Sequence, residues 1–303
     1  MADTKRAMAL GFFDGVHIGH AALLNKTKQR AEEIGAMPSV LTFDIHPDTL
    51  VFGNEVPLIN SAIGRKDIIN RCFGIDNVVF IHFNQKVMRM DWHEFIDELI
   101  EELGIAWLVV GHDFCFGYKG LGTAPRLKEY CAEKGIGCDI IEPVCRDGIV
   151  VSSTEIRKLI QNGEIEKANE LLGHPHMLSD TVRSGYHLGT KMGTPTINMK
   201  IPEGVVIPRH GVYAAKVILD DGSEHISVTN VGVRPTVSDS GIVSVESFIL
   251  DYHGNLYNRQ VRLEFYKFLR PEQKFASVDE LKARILYDAN TTRAYFEAQT
   301  QHA

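Results

Sequence analysis

The stretch Gly11-Phe12-Phe13-Asp14-Gly15-Val16-His17-Ile18-Gly19-His20 decides how the first half of the chain is read. Apolar Ala7, Met8, Ala9 and Leu10 lead into it. Leu23, Leu24, Thr27, Ala31 and Ile34 follow at helical spacing until Gly35. This pattern predicts a buried strand, a tight glycine turn and a helix, the place where an α/β sheet offers backbone N–H groups to phosphate. His17 and His20 stand at the predicted helix start, so both imidazoles can meet one anion. Neutral or protonated, each can donate a hydrogen bond to a phosphate oxygen, and the helix dipole adds favourable potential. For a bare His-x-x-His, an ordinary pair of helix-start histidines is the plainer reading. Gly19 between them and Phe13-Asp14-Gly15 before them favour a nucleotide site, with Gly11, Phe13 and Asp14 as further lining candidates.

The 303 residues suffice for two ordinary domains or one large one, with a full core in either case. With 44% hydrophobic and 23% charged residues, the composition is that of a soluble globular protein. No apolar run approaches the ~18–20 residues of a membrane span, and the Met1–Arg6 segment is too short for a signal peptide. A net charge of −7 argues against a general nucleic-acid surface. Cys72, Cys115, Cys131, Cys138 and Cys145 contain no Cys-x-x-Cys and lack partners at zinc-site spacing, so they read as reduced thiols of a cytosolic protein. The expected partners are small molecules, with no nucleic acid or membrane, and the expected state is a monomer or weak homo-oligomer.

Further along, Ser39–Phe43 reads as a strand ended by Asp44-Ile45-His46-Pro47. Pro47 biases His46 towards extended geometry, giving a turn at a carboxyl strand end, where α/β sheets bind ligands. A helix near 64–73 leads to a strand at 78–81. Asp91-x-x-Glu94 resembles a capping box before Phe95, Leu99 and Leu103. The apolar run Ile105–Val110 is followed directly by Gly111-His112-Asp113-Phe114-Cys115-Phe116-Gly117, in which Asp113 is best placed to meet a ligand. Residues 127–135 read as a helix and 139–144 as a strand. Ser152-Ser153-Thr154 then opens a helix with Arg157 expected on its first turn, a set of donors that suits a phosphate. The alternation predicts a doubly wound, Rossmann-like parallel sheet with its polar loops gathered at the carboxyl ends.

These motifs, in this order, resemble the adenylyltransferase module of bacterial FAD synthetase within the nucleotidylyltransferase superfamily. The resemblance runs from about Ala7 to Gly173. It implies that His17 and His20 cradle ATP during attack on its α-phosphorus, with His46, Asp113, Ser152, Ser153, Thr154 and Arg157 around the nucleotide. Two departures remove positive charge from the expected phosphate pocket: Val150 stands where members commonly carry a basic residue, and Cys115 where many carry arginine. Both bear on the rate and the substrate of adenylylation.

After His174-Pro175-His176 the periodicity changes from helical to alternating, which places the domain boundary near 174–181 and divides the chain into 1–176 and 177–303. Gly185, Gly189 and Gly193 recur every four residues before Thr194-Pro195-Thr196-Ile197-Asn198. Evenly spaced glycines let a backbone approach phosphates. Thr196 and Asn198 share a face of an extended segment, and a hydroxyl beside an amide oxygen suits Mg²⁺. Short strands at 211–219, 225–231, 244–251 and 260–269, with a turn at Asp220-Asp221-Gly222, predict a small antiparallel barrel. Ser277-x-x-Glu280 caps a C-terminal helix. Glu246, on a strand otherwise suited to a core, is either solvent-facing or a site residue.

The glycine series with Pro195-Thr196-x-Asn198, then Asn230-x-Gly-x-Arg-Pro-Thr236, Val245-Glu246 and Leu269-Arg270-x-Glu-x-Lys-Phe275, look like riboflavin kinase over about 181–296. That resemblance implies that Thr196 and Asn198 hold Mg²⁺ and ATP phosphates. It also implies Glu246 as the base facing the ribityl hydroxyl, and Arg270 as a nucleotide contact. Thr194 replaces the usual phenylalanine before the proline. The combined expectation is an enzyme that converts riboflavin and ATP to FMN and then FMN to FAD. Alternatives stay open: a class I aminoacyl-tRNA synthetase, for which Lys191-Met192-Gly193 poorly imitates the second signature; a single-step nucleotidylyltransferase; or a flavin-sensing kinase relative with a degraded adenylylation site.

Overall fold

Strand and helix alternate through the first half of the chain, and the computed structural model describes residues 4–53, 55–183, 196–233 and 243–301. The chain divides into two compact units, Met1–Ser153 and Thr154–Ala303.

In the first unit, β1 (Arg6–Leu10) runs into α1 (Ile18–Ile34), followed by β2 (Met37–Phe43), α2 (Pro47–Phe52), α3 (Ala62–Phe73) and β3 (Asn77–Ile81). Next come α4 (Gln85–Arg89), α5 (Trp92–Leu103), β4 (Ile105–Gly111), a small hairpin of β5 (Cys115–Phe116) and β6 (Gly122–Thr123), α6 (Ala124–Glu133) and β7 (Gly137–Ile141). A second hairpin, β8 (Cys145–Arg146) and β9 (Ile149–Val150), ends at the start of α7 (Ser153–Asn162). The five long strands form one parallel sheet in the order β3-β2-β1-β4-β7. Ala7, Met8, Ala9 and Leu10 are all buried, as a central strand covered on both faces requires. Met8, Leu10, Leu41, Leu108 and Val110 pack with Phe95, Ile96 and Leu99 of α5 and Leu127 of α6, each full burial worth about 1.5–3 kcal/mol.

Helix ends follow the local chemistry. His17, extended at φ −68°, caps α1, and Gly35 closes it at φ 62°. The Asp91 carboxylate accepts from His93 N at the start of α5. Two short helices that periodicity did not predict, α2 and α4, are too brief to display a period. The expected turn at His46-Pro47 is the start of α2, with proline at its first turn. The strand expected over 139–144 stops at Ile141.

The second unit contains most of α7, α8 (Ile165–Leu172) and β10 (His176–Thr181), then β11 (Thr196–Lys200), β12 (Gly211–Leu219), β13 (Glu224–Val233), β14 (Val243–Ile249), β15 (Gln260–Arg270) and the long terminal α9 (Val278–Gln301). Its antiparallel strands lie in the order β10-β15-β12-β13-β14-β11. The two edges meet: Arg183 N donates to Asn198 O (2.9 Å), and Lys200 N donates to the Asp180 carboxylate (2.8 Å). The sheet thereby curls into the small barrel. The segment expected to be a linker contributes its edge strand β10, which pairs with β15 along 176–181. Tyr213, Val231, Val245, Leu263 and Phe265 fill the barrel. Ala289 of α9 packs on Val212, Val228 and Leu250 of the sheet and its adjoining loop. Ser277 Oγ accepts from Glu280 N, and the Glu280 carboxylate accepts from Ala276 N, so the capping pair is formed.

Candidate functional sites

Because β1 lies between β2 and β4, the strand order reverses beside it. The loops after β1 and β4 therefore border the crevice where parallel sheets bind ligands. The turn after β1 is strained. Phe13 and Val16, neither of them glycine, lie at φ 56° and 45° with Gly15 at 77° between them. This contour delivers His17 to the N-cap of α1, where its Nδ1 accepts from His20 N (3.3 Å). The His17 and His20 rings stack with centroids 3.6 Å apart at 16°, and Phe13 packs against His20 at 5.1 Å. The motif's glycine has a packing reason: a Cβ on Gly19 would lie 3.0 Å from the His17 ring. Burial, then the neighbouring His17 and the Arg65 charge, hold His20 well below the ordinary imidazole range. His20 is therefore neutral near pH 7. Its Nδ1 is buried and has no hydrogen-bond partner among the described residues.

The other expected first-site residues divide. His46 is brought to the turn: it caps α2 by accepting from Asp48 N, and its ring meets Phe12 edge-on at 4.6 Å. Ser153 Oγ donates to Asp14 O (2.9 Å), tying the start of α7 to the turn. The Asp14 carboxylate faces inward and accepts from Ile59 N (2.8 Å) and Asn60 N (3.4 Å), so it organises the loop behind the turn. Asp113 stands exposed at the end of β4, with His112 Nδ1 3.9 Å away. Gly11 sits under the Phe13 ring. Ser152 precedes α7, while Thr154 and Arg157 fall in the second compact unit, Arg157 on the second turn of α7 rather than the first. Val150 and Cys115 are both exposed.

One residue of the first site went unremarked in the sequence. Arg65 of α3 is fully buried. Its Nη1 donates to Phe12 O (2.5 Å) and Thr42 Oγ1 (3.0 Å), and its Nη2 to Phe43 O (2.9 Å), joining the turn after β1 to the end of β2. The guanidinium also stacks over Phe12 at 4.3 Å. Burial pushes its pKa down to about 10, against the through-space pull of Asp14 and Asp44. A signal for it existed: Arg65 precedes Ile68 and Ile69 at helical spacing, on the buried stripe of α3.

In the second unit, register builds a row of polar side chains. Asn198 of β11 lies opposite Glu246 of β14, and Glu246 lies opposite Asn230 of β13. Directly paired residues share a face. The flanking Thr229, Val231, Val245, Ser247, Ile197 and Met199 are all buried, whereas Asn230 and Glu246 are part-exposed and Asn198 is buried beside them, so the row stands on the face opposite the barrel's filling. Thr196 shares that face two positions from Asn198. Asn230 Nδ2 donates to Glu272 Oε1 (3.4 Å), and the Glu272 carboxylate lies over Gly232, where it would have to swing aside for any Cβ. Arg270, expected at the nucleotide, pairs instead with buried Asp288 of α9 through Nε (3.0 Å) and Nη2 (2.7 Å). Gly185, Gly189, Gly193 and Thr194 lie outside the described residues. Among those described, no cluster of three or more His, Cys, Asp or Glu side chains could hold a metal ion. The oxygen donors of Thr196 and Asn198 suit Mg²⁺ only where phosphate and water complete its shell.

The FAD synthetase family model matches residues 1–155, and the riboflavin kinase model matches residues 172–296. A bifunctional riboflavin kinase/FMN adenylyltransferase from Listeria monocytogenes is 35% identical over 296 residues, covering 97% of this chain and 93% of that protein. Proteins of the same description from Pseudomonas fluorescens and Escherichia coli K12 are 36% and 34% identical over 94% and 95% of this chain, covering 91% and 92% of their own lengths. A crystal structure described as a macrolide-efflux protein from Streptococcus pneumoniae superposes with a TM-score of 0.84 at 26% identity, covering 97% of this chain and 95% of its own. No helix among the described residues of this chain is long and apolar enough to cross a membrane.

Proposed function

The chain belongs to the bifunctional riboflavin kinase/FMN adenylyltransferase family, and from this premise we infer how its two units divide the work. The enzyme phosphorylates riboflavin to FMN and adenylylates FMN to FAD. Nothing in its sequence relatives favours a degraded relative that only senses flavin. We assign adenylylation to residues 1–176 and phosphorylation to 177–303, although by packing the second unit begins at Thr154. The observation that carries this assignment is that each unit holds its own constellation: stacked His17 and His20 at the sheet's reversal point in the first, and the Asn198–Glu246–Asn230 row on the barrel in the second.

In the first reaction, Glu246 orients the primary hydroxyl of riboflavin and accepts its proton as that oxygen bonds to the γ-phosphorus of ATP. Thr196 and Asn198 would hold the Mg²⁺ that accompanies ATP through their side-chain oxygens, and the ion would supply charge to neutralise the transferring phosphoryl group. In the second reaction, a phosphate oxygen of FMN attacks the α-phosphorus of ATP and pyrophosphate leaves. His17 and His20 donate hydrogen bonds to the reacting phosphate. Neutral His20 does so without first taking up a proton. Gly11, Phe13, His46, Asp113, Ser152 and Ser153 form the remainder of the nucleotide-binding set of the first unit, with Asp14 as its support, and Arg270 supports the second. Neither step needs a covalent enzyme intermediate. The five free thiols fit the reducing cytoplasm, and we take the working form to be a monomer or weak homo-oligomer acting on small molecules alone. Incubating the pure protein with riboflavin and MgATP, with chromatographic separation of the flavins, should give FMN first and FAD after it. Accumulation of FMN with no FAD would return the reading to a kinase alone.

A further inference from the structure

We propose that Arg65 is a positioning residue of the adenylylation site, a buried positive charge that holds the strained turn after β1 and acts on the anionic substrates through it. The inference rests on reading the Gly11–His20 turn as the nucleotide site.

Arg65 is fully buried, yet all its hydrogen-bond acceptors are neutral: the carbonyls of Phe12 and Phe43 and the hydroxyl of Thr42. Among the described residues no carboxylate forms an ion pair with it. Asp14 and Asp44 act only through space, and Asp14 is turned to Ile59 N and Asn60 N. A buried cation without a paired anion is costly and persists only where something compensates it. Its position shows what that is. One carbonyl it grips, Phe43 O, ends β2; the other, Phe12 O, lies in the turn after β1, and Phe12 immediately precedes the left-handed Phe13. The grip therefore lies directly beneath the turn that presents His17 and His20. Phe12 O is held twice, by Arg65 Nη1 and by Thr42 Oγ1 (2.8 Å), which opposes relaxation of the strained residues that follow. Val150 and Cys115, where the resemblance leads one to expect basic residues, are exposed and uncharged. A fixed charge in a low-dielectric layer, already oriented and unscreened by water, stabilises phosphate above it without reorganisation.

The test uses the full chain and initial rates of FAD formation from FMN across a range of MgATP. Riboflavin phosphorylation on the same preparations controls for folding. Arg65→Met should raise the KM for ATP in adenylylation about tenfold or more with a smaller change in kcat, while Arg65→Lys stays within about threefold of the parent. Riboflavin phosphorylation should stay within about twofold in both. A parent-like KM in Arg65→Met overturns the proposal. So does an Arg65→Lys protein as impaired as Arg65→Met, since a retained buried charge would then contribute nothing to the capture of the anionic substrate. If Arg65→Met does not fold, Arg65→Lys decides alone: a KM near the parent's supports the proposal, and a tenfold rise overturns it. His20→Ala separates the premise, because unchanged FAD formation in that variant would mean that the turn is not the nucleotide site.

Discussion

His20 and His176 are both pushed below the ordinary imidazole range by burial, with different consequences. His20 lies in the proposed nucleotide site, and its neutral form suits phosphate contact over the physiological range. Replacing it with alanine should raise the adenylylation barrier by roughly 2–4 kcal/mol, the usual cost of losing a transition-state donor. Initial rates of FAD formation from FMN measure this, and parent-like rates would remove His20 from the site. His176 is fully buried in the second unit, its ring against Phe265 at 5.5 Å, and neither ring nitrogen has a partner among the described residues. Its pKa is pushed down to about 3. The unfolded chain therefore binds a proton that the folded chain refuses. This group's stabilisation is full above about pH 6.5 and declines towards about pH 3, by roughly 1 kcal/mol per pH unit. His176→Phe should flatten the decline in urea midpoint between pH 7 and 4. An unchanged slope would mean that His176 does not remain neutral in the fold.

At the scale of elements, the terminal helix and the barrel are joined by charge as well as by packing. Asp288 of α9, only 3% exposed along its side chain, accepts from Arg270 of β15 and lies 3.2 Å from Arg284. Removing one partner of a buried pair leaves the other uncompensated, so Asp288→Ala should destabilise by about 3–5 kcal/mol. Urea denaturation of parent and variant tests this, and a change below ~1 kcal/mol would show that solvent already screens the pair. Strand β14 carries the chemistry through its alternation: Val245 and Ser247 are buried while Glu246 faces out between two asparagines. Glutamine at 246 keeps the size but cannot take a proton. Glu246→Gln should thus slow riboflavin phosphorylation about 10²–10⁴-fold and leave adenylylation of supplied FMN intact. Equal kinase rates would return Glu246 to a solvent-facing role.

For the whole molecule, the two constellations predict separable activities. His20→Ala should accumulate FMN from riboflavin, and Glu246→Gln should make FAD only from supplied FMN. A mixture of the two proteins should then produce FAD from riboflavin by way of free FMN. If the mixture fails while each protein keeps its remaining activity, flavin passes between sites only within one chain. The net charge of −7 sets the background for such traffic. Anionic substrates meet an overall repulsive field, so their capture depends on local donors and on a charge such as Arg65.

Much of this was legible in the sequence because it is local. The strand–turn–helix at 6–34, the caps at Asp91 and Ser277, the hairpin at Asp220-Asp221-Gly222 and the alternation around Glu246 each depend on residues within a few positions of one another. The motifs that resemble the two enzyme families are likewise contiguous runs. Tertiary structure alone decided what long-range pairing controls. It placed β1 beside β4, and so made the His17–His20 turn the border of a crevice. It set Asn230 against Glu246, turned Arg270 to Asp288 and recruited 176–181 into the barrel. It also buried Arg65 beneath Phe12. Strand order and register bring together residues far apart along the chain, and a side chain's periodicity shows which stripe it occupies but not what that stripe will face.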